Sequence, residues 1–180
     1  IYSKILFRYS NFTDYQEENI NTSICAINEL KKIGWKISKK QINKGIDIAM
    51  NKNPIKGRWQ ILSSKPKIIC DTAHNYDGFK KVLKEINKIK FESLHFVLGM
   101  VNDKKIDDIL NLLPKKATYY FCKAKIERGI DEKLLAKKAQ NLNGKTYDSV
   151  KEALDHAKKN AKKNDLIFVG GSTFTVAEII

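Results

Sequence analysis

"KIICDTAHNYDGF", residues 67–79, frames the reading of the whole chain. Ile68, Ile69 and Cys70 form a short apolar run, and Asp71, His74 and Asn75 follow at once. Beyond them "YDGFKKVLKEINKIK" places Phe79, Val82, Leu83, Ile86 and Ile89 on one helical face. A strand passing through a polar loop into a helix is the unit from which parallel sheets are built. A surface turn needs polar residues, yet it does not need an acid, an imidazole and an amide together.

Downstream the unit repeats. "LHFVLGM" is a continuous apolar strand of the kind buried on both faces. "DKKIDDILNLL" is predicted to be a helix with Asp103 as its N-cap, "ATYYFC" a strand, "DEKLLAKKAQNL" a helix and "GKTYD" a short strand. "SVKEALDHAKKNAKKN" is predicted to be a helix, and "DLIFVGG" a last strand leading into "STFTVAEII". Upstream, "RWQIL" pairs with "KIICD" across a tight turn at Ser63 to Pro66. This alternation predicts an α/β fold: a mostly parallel, Rossmann-like sheet flanked by helices. Ligands of such sheets gather beyond the carboxyl ends of the strands. Three strand ends carry unusual polar chemistry, namely Asp71 to Asn75, Gly99 to Lys104 and Gly170 to Thr173. Parallel strands would bring them to one edge.

The first fifty residues read differently. "YQEENINTSICAINELKKIG" sets Ile20, Ile24, Ile27 and Leu30 at helical spacing, with Gly34 ending the helix. Ser38 is a predicted N-cap for "KKQINKGIDIAM", with Ile42, Ile46 and Ala49 on one face. "IYSKILFRYSNF" has strand character without a strand partner in the chain, and "NKNPIKG" reads as a linker. The expected domains are therefore residues 1–53 and 54–180. The opening on Ile1 and not on Met reads as a piece of a longer protein.

Composition narrows the function. No apolar run approaches a membrane span, and no signal peptide is visible. The net charge is +14, but only Arg8, Arg58 and Arg128 among the 34 basic residues are arginine, and the lysines are spread over every predicted helix. Nucleic-acid recognition favours arginine forks and a concentrated basic face, so no nucleic-acid partner is expected. Cys25, Cys70 and Cys122 lack zinc or disulfide spacing and read as buried free thiols of a cytoplasmic protein. No metal site is expected in this chain.

Each candidate has a plain alternative. Asp71 serves equally as a helix or turn cap, Arg58 as a surface arginine stacked on Trp59, and Gly170–Gly171–Ser172 as an ordinary turn. Neither GxxxxGK[ST] nor GxGxxG is present, so the chain carries no phosphate cradle of its own. His95 and His156 read as structural or solvated.

"GRWQ", then Asp71 of "DTAHN" thirteen positions after Arg58, then "LGMVNDK" and "FVGGST" resemble the C-terminal part of folylpolyglutamate synthase/dihydrofolate synthase, in the Mur ligase superfamily. "DYQEENINTSICAI" resembles the Gln-x-x-Asn helix that ends the family's central ATPase domain. The resemblance spans nearly the whole chain in the same order. Tyr76 stands where the family has Pro, Tyr15 where it has His, and Gly129 where it has Ala.

The resemblance implies a helical remnant of the ATPase domain followed by the Mur ligase C-terminal domain. It implies an ATP-dependent ligase that adds L-glutamate to dihydropteroate or a folate through an acyl phosphate. ATP and Mg2+ are the implied cofactors, with the Mg2+ ligands in an absent N-terminal part. By similarity, Asn19 contacts adenine, Arg58 the ATP phosphates, and Asp71 lies in the ATP site. His74 is the implied catalytic residue and Ser172 a substrate ligand near the acyl phosphate, while Lys104 and Arg128 face the anionic substrate. A cytoplasmic monomer without membrane or nucleic-acid partners is expected, with no activity in these 180 residues alone. A muramoyl-acting relative and a basic, non-catalytic nucleic-acid module are the competing readings.

Overall fold

The computed structural model describes residues 13–52, 54–102 and 106–180. The chain divides into two compact units between Ile55 and Lys56. The strand-like opening, Asp103 and Lys104 lie outside the described residues.

In the first unit, α1 (Asp14–Lys32) and α2 (Lys39–Asp47) each begin with a capping box. Thr13 and Gln16 bond reciprocally at one helix, Ser38 and Gln41 at the other, so each pair satisfies two orphan N–H groups. Gly34, at φ +100°, follows α1 where only glycine is unstrained. The predicted stripe Ile20, Ile24, Ile27 and Leu30 is half-buried; Ala49 is exposed, in a π-helical turn, Ile48–Lys52.

Among the described residues the second unit holds β1 (Gln60–Ser64), β2 (Lys67–Asp71), β3 (Leu94–Leu98), β4 (Thr118–Cys122), β5 (Gly144–Tyr147) and β6 (Leu166–Gly170). They form one sheet in the order β1-β2-β6-β3-β4-β5. β1 runs antiparallel to β2, and every other pairing is parallel. The helices are α3 (Tyr76–Ile86), α4 (Ile106–Leu112), α5 (Glu132–Lys138), α6 (Val150–Asn160) and α7 (Thr173–Ala177).

The topology follows from burying both faces. Steps β2 to β3 to β4 to β5 move one way across the sheet, so right-handed crossovers put α3, α4 and α5 on one face. The return from β5 to β6 puts α6 on the other. Two apolar clusters match: Phe79, Phe96, Phe168 and Leu135 lie on the first side, and Val97, Val169, Ala153 and Val176 on the second. Phe96 and Phe168 are register partners with ring centroids 4.8 Å apart, so the alternate residues of β3 and β6 serve opposite cores.

Three expectations change. β1 begins at Gln60 because Trp59, at φ +49°, cannot continue a strand; Arg58 and Trp59 therefore sit in a loop. α3 stops at Ile86, although Ile89 still packs on the core. Cys25 is exposed, whereas Cys70 and Cys122 are buried as expected. "STFTVAEII" supplies the short α7, which had no assignment.

Candidate functional site on the carboxyl edge of the sheet

Register brings the polar strand ends together. Asp71 pairs with Gly170, and Gly170 with Leu98, so β2, β6 and β3 finish level with one another. At normal strand spacing those three ends lie within about 10 Å. The loops beyond them are tied into one rim. Gly99 N–H donates to the Gly170 carbonyl at 3.2 Å, and Thr175 Oγ1 donates to the Gly99 carbonyl at 2.8 Å. Asn102 N–H donates to the Arg128 carbonyl at 2.9 Å, and Ile130 N–H to that of Met100 at 3.0 Å.

Arg58 is exposed and, among the described residues, makes no hydrogen bond or ion pair. Its loop is anchored to β2: Thr72 N–H donates to the Gly57 carbonyl at 2.9 Å, and Trp59 N–H to Asp71 Oδ2 at 2.8 Å. The Trp59 ring meets Phe168 at 6.4 Å, on the core side. Asp71 itself is 1% exposed, and its other oxygen, Oδ1, accepts from Ala73 N–H at 2.9 Å. The neighbouring Cys70 thiol is pushed up to about 12 by burial and, secondarily, by the Asp71 carboxylate; it is an inert core group.

His74 is exposed, and its Nδ1 lies 3.1 Å from the Thr72 carbonyl. A carbonyl only accepts, so neutral His74 carries its proton on Nδ1 and keeps a lone pair on Nε2. Asn75 takes the plain role, capping α3 through Gly78 N–H at 2.8 Å. Ser172 does likewise for α7: it is buried, and its hydroxyl accepts from Phe174 and Thr175 N–H at 3.0 and 3.2 Å. Arg128 is exposed on the same edge, beyond the end of β4.

The second unit thus collects Arg58, Asp71, His74, Ser172 and Arg128 on one edge. Asn19 is exposed on α1 of the first unit. Lys104 lies outside the described residues. Two supporting residues went unread in the sequence. Gln60 accepts from Gly57 N–H at 2.8 Å, and Thr175 locks two rim loops. Gln60 stood within the quoted "GRWQ"; nothing in "FTV" marked Thr175.

No three His, Cys, Asp or Glu side chains converge as a metal cage among the described residues. His95 sits near the amino-terminal end of β3, away from this edge. His95 Nδ1 lies 3.0 Å from the Tyr120 hydroxyl and Nε2 3.3 Å from Asp165 Oδ2, while His156 packs on Tyr147 at 4.8 Å.

Residues 57–173 match the family described as Mur ligase, glutamate ligase domain. The chain belongs to the Mur ligase family. This Mur ligase chain is 33% identical over 167 residues to the dihydrofolate synthase/folylpolyglutamate synthase of Escherichia coli, covering 91% of itself and 37% of that protein. Escherichia coli FolC, solved in complex with DHPP and ADP, superposes with a TM-score of 0.77 at 32% identity, over 89% of this chain and 37% of that one. A bifunctional folylpolyglutamate synthase/dihydrofolate synthase with Mn, AMPPNP and L-glutamate bound gives a TM-score of 0.74 at 25% identity, over 86% and 37%. The chain spans between 15% and 39% of the lengths of the curated relatives it matches. No helix among the described residues is long and apolar enough to cross a membrane.

Proposed function

We propose that this Mur ligase chain is the C-terminal part of an ATP-dependent ligase that joins L-glutamate to dihydropteroate or to a folate. Its first 53 residues are then the end of a central ATPase domain, and residues 54–180 the domain that closes over the nucleotide. The observation that carries the reading is Arg58, a solvent-facing guanidinium without a partner among the described residues, held above the rim that bears His74.

In the proposed reaction a carboxylate oxygen of the acceptor attacks the γ-phosphorus of ATP, releasing ADP and leaving an acyl phosphate. The amino nitrogen of glutamate then attacks the acyl carbon, phosphate departs, and the nitrogen loses a proton as the amide forms. Such transfer depends on positioning and charge neutralisation. Arg58 offers forked donors to the phosphate oxygens, and Asn19 contacts the adenine. Asp71 belongs to the ATP site beneath Arg58. His74 presents Nε2 towards the reacting centre, where the departing ammonium proton needs an acceptor. Lys104 and Arg128 complement the anionic acceptor, and Ser172 lies near the acyl phosphate and the incoming glutamate. Magnesium, when bound, would neutralise phosphate charge, with its ligands in the part of the protein not represented here. A cytoplasmic monomer acting on small molecules completes the proposal, and the 180 residues alone are expected to be inactive.

The full-length protein should release phosphate only when ATP, glutamate and dihydropteroate or a folate are all present. Release with a muramoyl acceptor would shift the proposal to another branch of the family. Arg58→Ala should lower kcat/KM for ATP by about tenfold to a hundredfold, the range of a charge-assisted hydrogen bond, with little change in melting temperature. Turnover within twofold of wild type would remove Arg58 from the site.

A further inference from the structure

The lysines are dispersed along the chain but not over the folded second unit. In an α/β sheet the helices run against the strands, so each begins near the carboxyl edge and ends towards the amino edge. The first turns of α3, α4, α5 and α6 carry the acids Asp77, Asp107, Glu132 and Glu152. The connections that enter β2, β3, β4 and β6 carry Lys65, Lys90, Lys115, Lys116, Lys162 and Lys163 instead.

Strand pairing draws those connections together. Lys67 and Leu94 are both register partners of Leu166, and His95 is the partner of Thr118, so the four strands start nearly level. At normal strand spacing their starts span about 15 Å. The loop before β3 is bonded to the loop before β6. Glu92 N–H donates to the Asn164 carbonyl at 3.1 Å, and Asn164 Nδ2 to Glu92 Oε1 at 2.7 Å. The turn before β4 is closed by Ala117 N–H, which donates to the Pro114 carbonyl at 3.2 Å.

All six lysines are exposed, and none enters an ion pair with a described residue. The nearby acids are engaged elsewhere: Asp165 is buried, Glu85 pairs with Lys88 at 2.9 Å, and Glu92 meets Asn164. Helix dipoles do not account for the six. That effect fades within the last turn, and α3, α4 and α6 end at Ile86, Leu112 and Asn160, before these lysines. Nor does the proposed ligase chemistry account for them, because the rim with Arg58 and His74 lies at the other edge of the sheet.

None of the exposed large apolar side chains belongs to these four connections. The pole therefore offers no wedge for a membrane and no aromatic platform for unpaired bases. Lysine, a point charge without a fork, suits phosphate oxygens and not base edges. We propose that this amino-terminal pole is a second, sequence-independent site, which takes the phosphate backbone of duplex nucleic acid. Spread over about 15 Å, the ammonium groups match roughly four base pairs of axial rise. The sequence pI of about 9.6 supplies the long-range attraction.

Fluorescence anisotropy of the full-length protein with a labelled duplex of about 20 base pairs tests the site. A micromolar Kd is expected at about 50 mM salt, with log K falling against log salt at a slope of about −3 to −5. Lys116→Gln/Lys162→Gln/Lys163→Gln should weaken binding about tenfold or more and flatten that slope by about 2–3. Lys125→Gln/Lys133→Gln/Lys151→Gln removes the same charge from the carboxyl-edge side and should change the affinity less than about twofold. Equal losses in the two variants would mean a diffuse lysine surface and overturn the proposal, as would undetectable binding at low salt. Phosphatidylserine vesicles that displace the duplex through the same three lysines would give the pole to a membrane, and also overturn it. Amine-reactive footprinting of the wild type needs no variant. Bound duplex should slow labelling of Lys116, Lys162 and Lys163 about threefold or more and spare Lys125; uniform protection would refute the placement. None of these measurements reads glutamylation, so the proposal is decided separately from the ligase reading.

Discussion

Asp165 anchors a buried polar cluster at the amino-terminal end of the sheet, opposite the rim, and its removal has a calculable cost. It is 4% exposed; Oδ1 accepts from Ser93 N–H at 3.0 Å, and Oδ2 from Lys162 N–H at 2.6 Å, with His95 Nε2 3.3 Å away. His95 in turn meets the Tyr120 hydroxyl, which accepts from Asn160 Nδ2 at 3.1 Å. Asp165→Ala strands two backbone donors and one imidazole nitrogen. At roughly 1–3 kcal/mol per orphaned buried group, partly relieved by water, the loss should be about 3–5 kcal/mol. For a chain of this size that is a fall in Tm on the order of 6–20 °C. Asp165→Asn, which keeps one acceptor, should fall about half as far. pH supplies a second signature. Burial pushes the Asp165 carboxyl up, but the Lys162 N–H, His95 and the Ser93 N–H together pull it down, so its folded value lies below the ordinary 3.8. The stability it contributes is therefore present above that ordinary value and is lost as pH falls through the lower folded one. Differential scanning calorimetry of wild type and Asp165→Asn across pH 2–7 should show a gap in Tm that is full near neutrality and narrows at the acid end. A Tm for Asp165→Ala within about 1 °C of wild type at pH 7 would refute the reasoning. Because the cluster lies away from the rim, Asp165→Asn in the full-length protein should leave KM for ATP unchanged.

Two further outcomes follow from the same structure. In Gly57→Ala, the new methyl would stand 2.9 Å from both Thr72 Cγ2 and Val176 Cγ1, at φ +74°. The left-handed penalty and the overpacking together amount to about 2–4 kcal/mol, so thermal melting should drop and kcat/KM for ATP should fall as Arg58 is displaced; a neutral variant would mean the loop tolerates a shift. With a thiol reagent at neutral pH, native protein should label rapidly at Cys25 alone, since Cys70 and Cys122 are buried and burial pushes both thiols up; all three should react in denaturant. Fast native labelling of Cys122 would contradict the packing of β4.

The sheet was legible because its signal is local. Apolar runs such as "LHFVL" and "LIFVG" have few ways to be buried other than between two layers of helices, and the alternation with amphipathic helices implies parallel pairing. The strand order was not legible. Nothing in "DLIFVGG" says that the last strand enters between β2 and β3, a placement settled by right-handed crossovers and the need to cover both faces. Asn75 and Ser172 show the limit at single residues: the polar groups were visible, but their engagement with the N–H groups of α3 and α7 depends on where each helix starts.

By itself the sequence determined the α/β architecture, the collection of polar strand ends on one edge and the resemblance carried by "GRWQ" and "DTAHN", since each is a matter of residue type and spacing along the chain. Only the tertiary structure decided which of those polar groups face outward. Arg58 and His74 do, while Asp71 turns into the backbone of a loop twelve residues away from it in the chain. The reason is physical: a carboxylate excluded from water must be met by donors, and which donors reach it is set by the register of strands that the chain brings together from far apart.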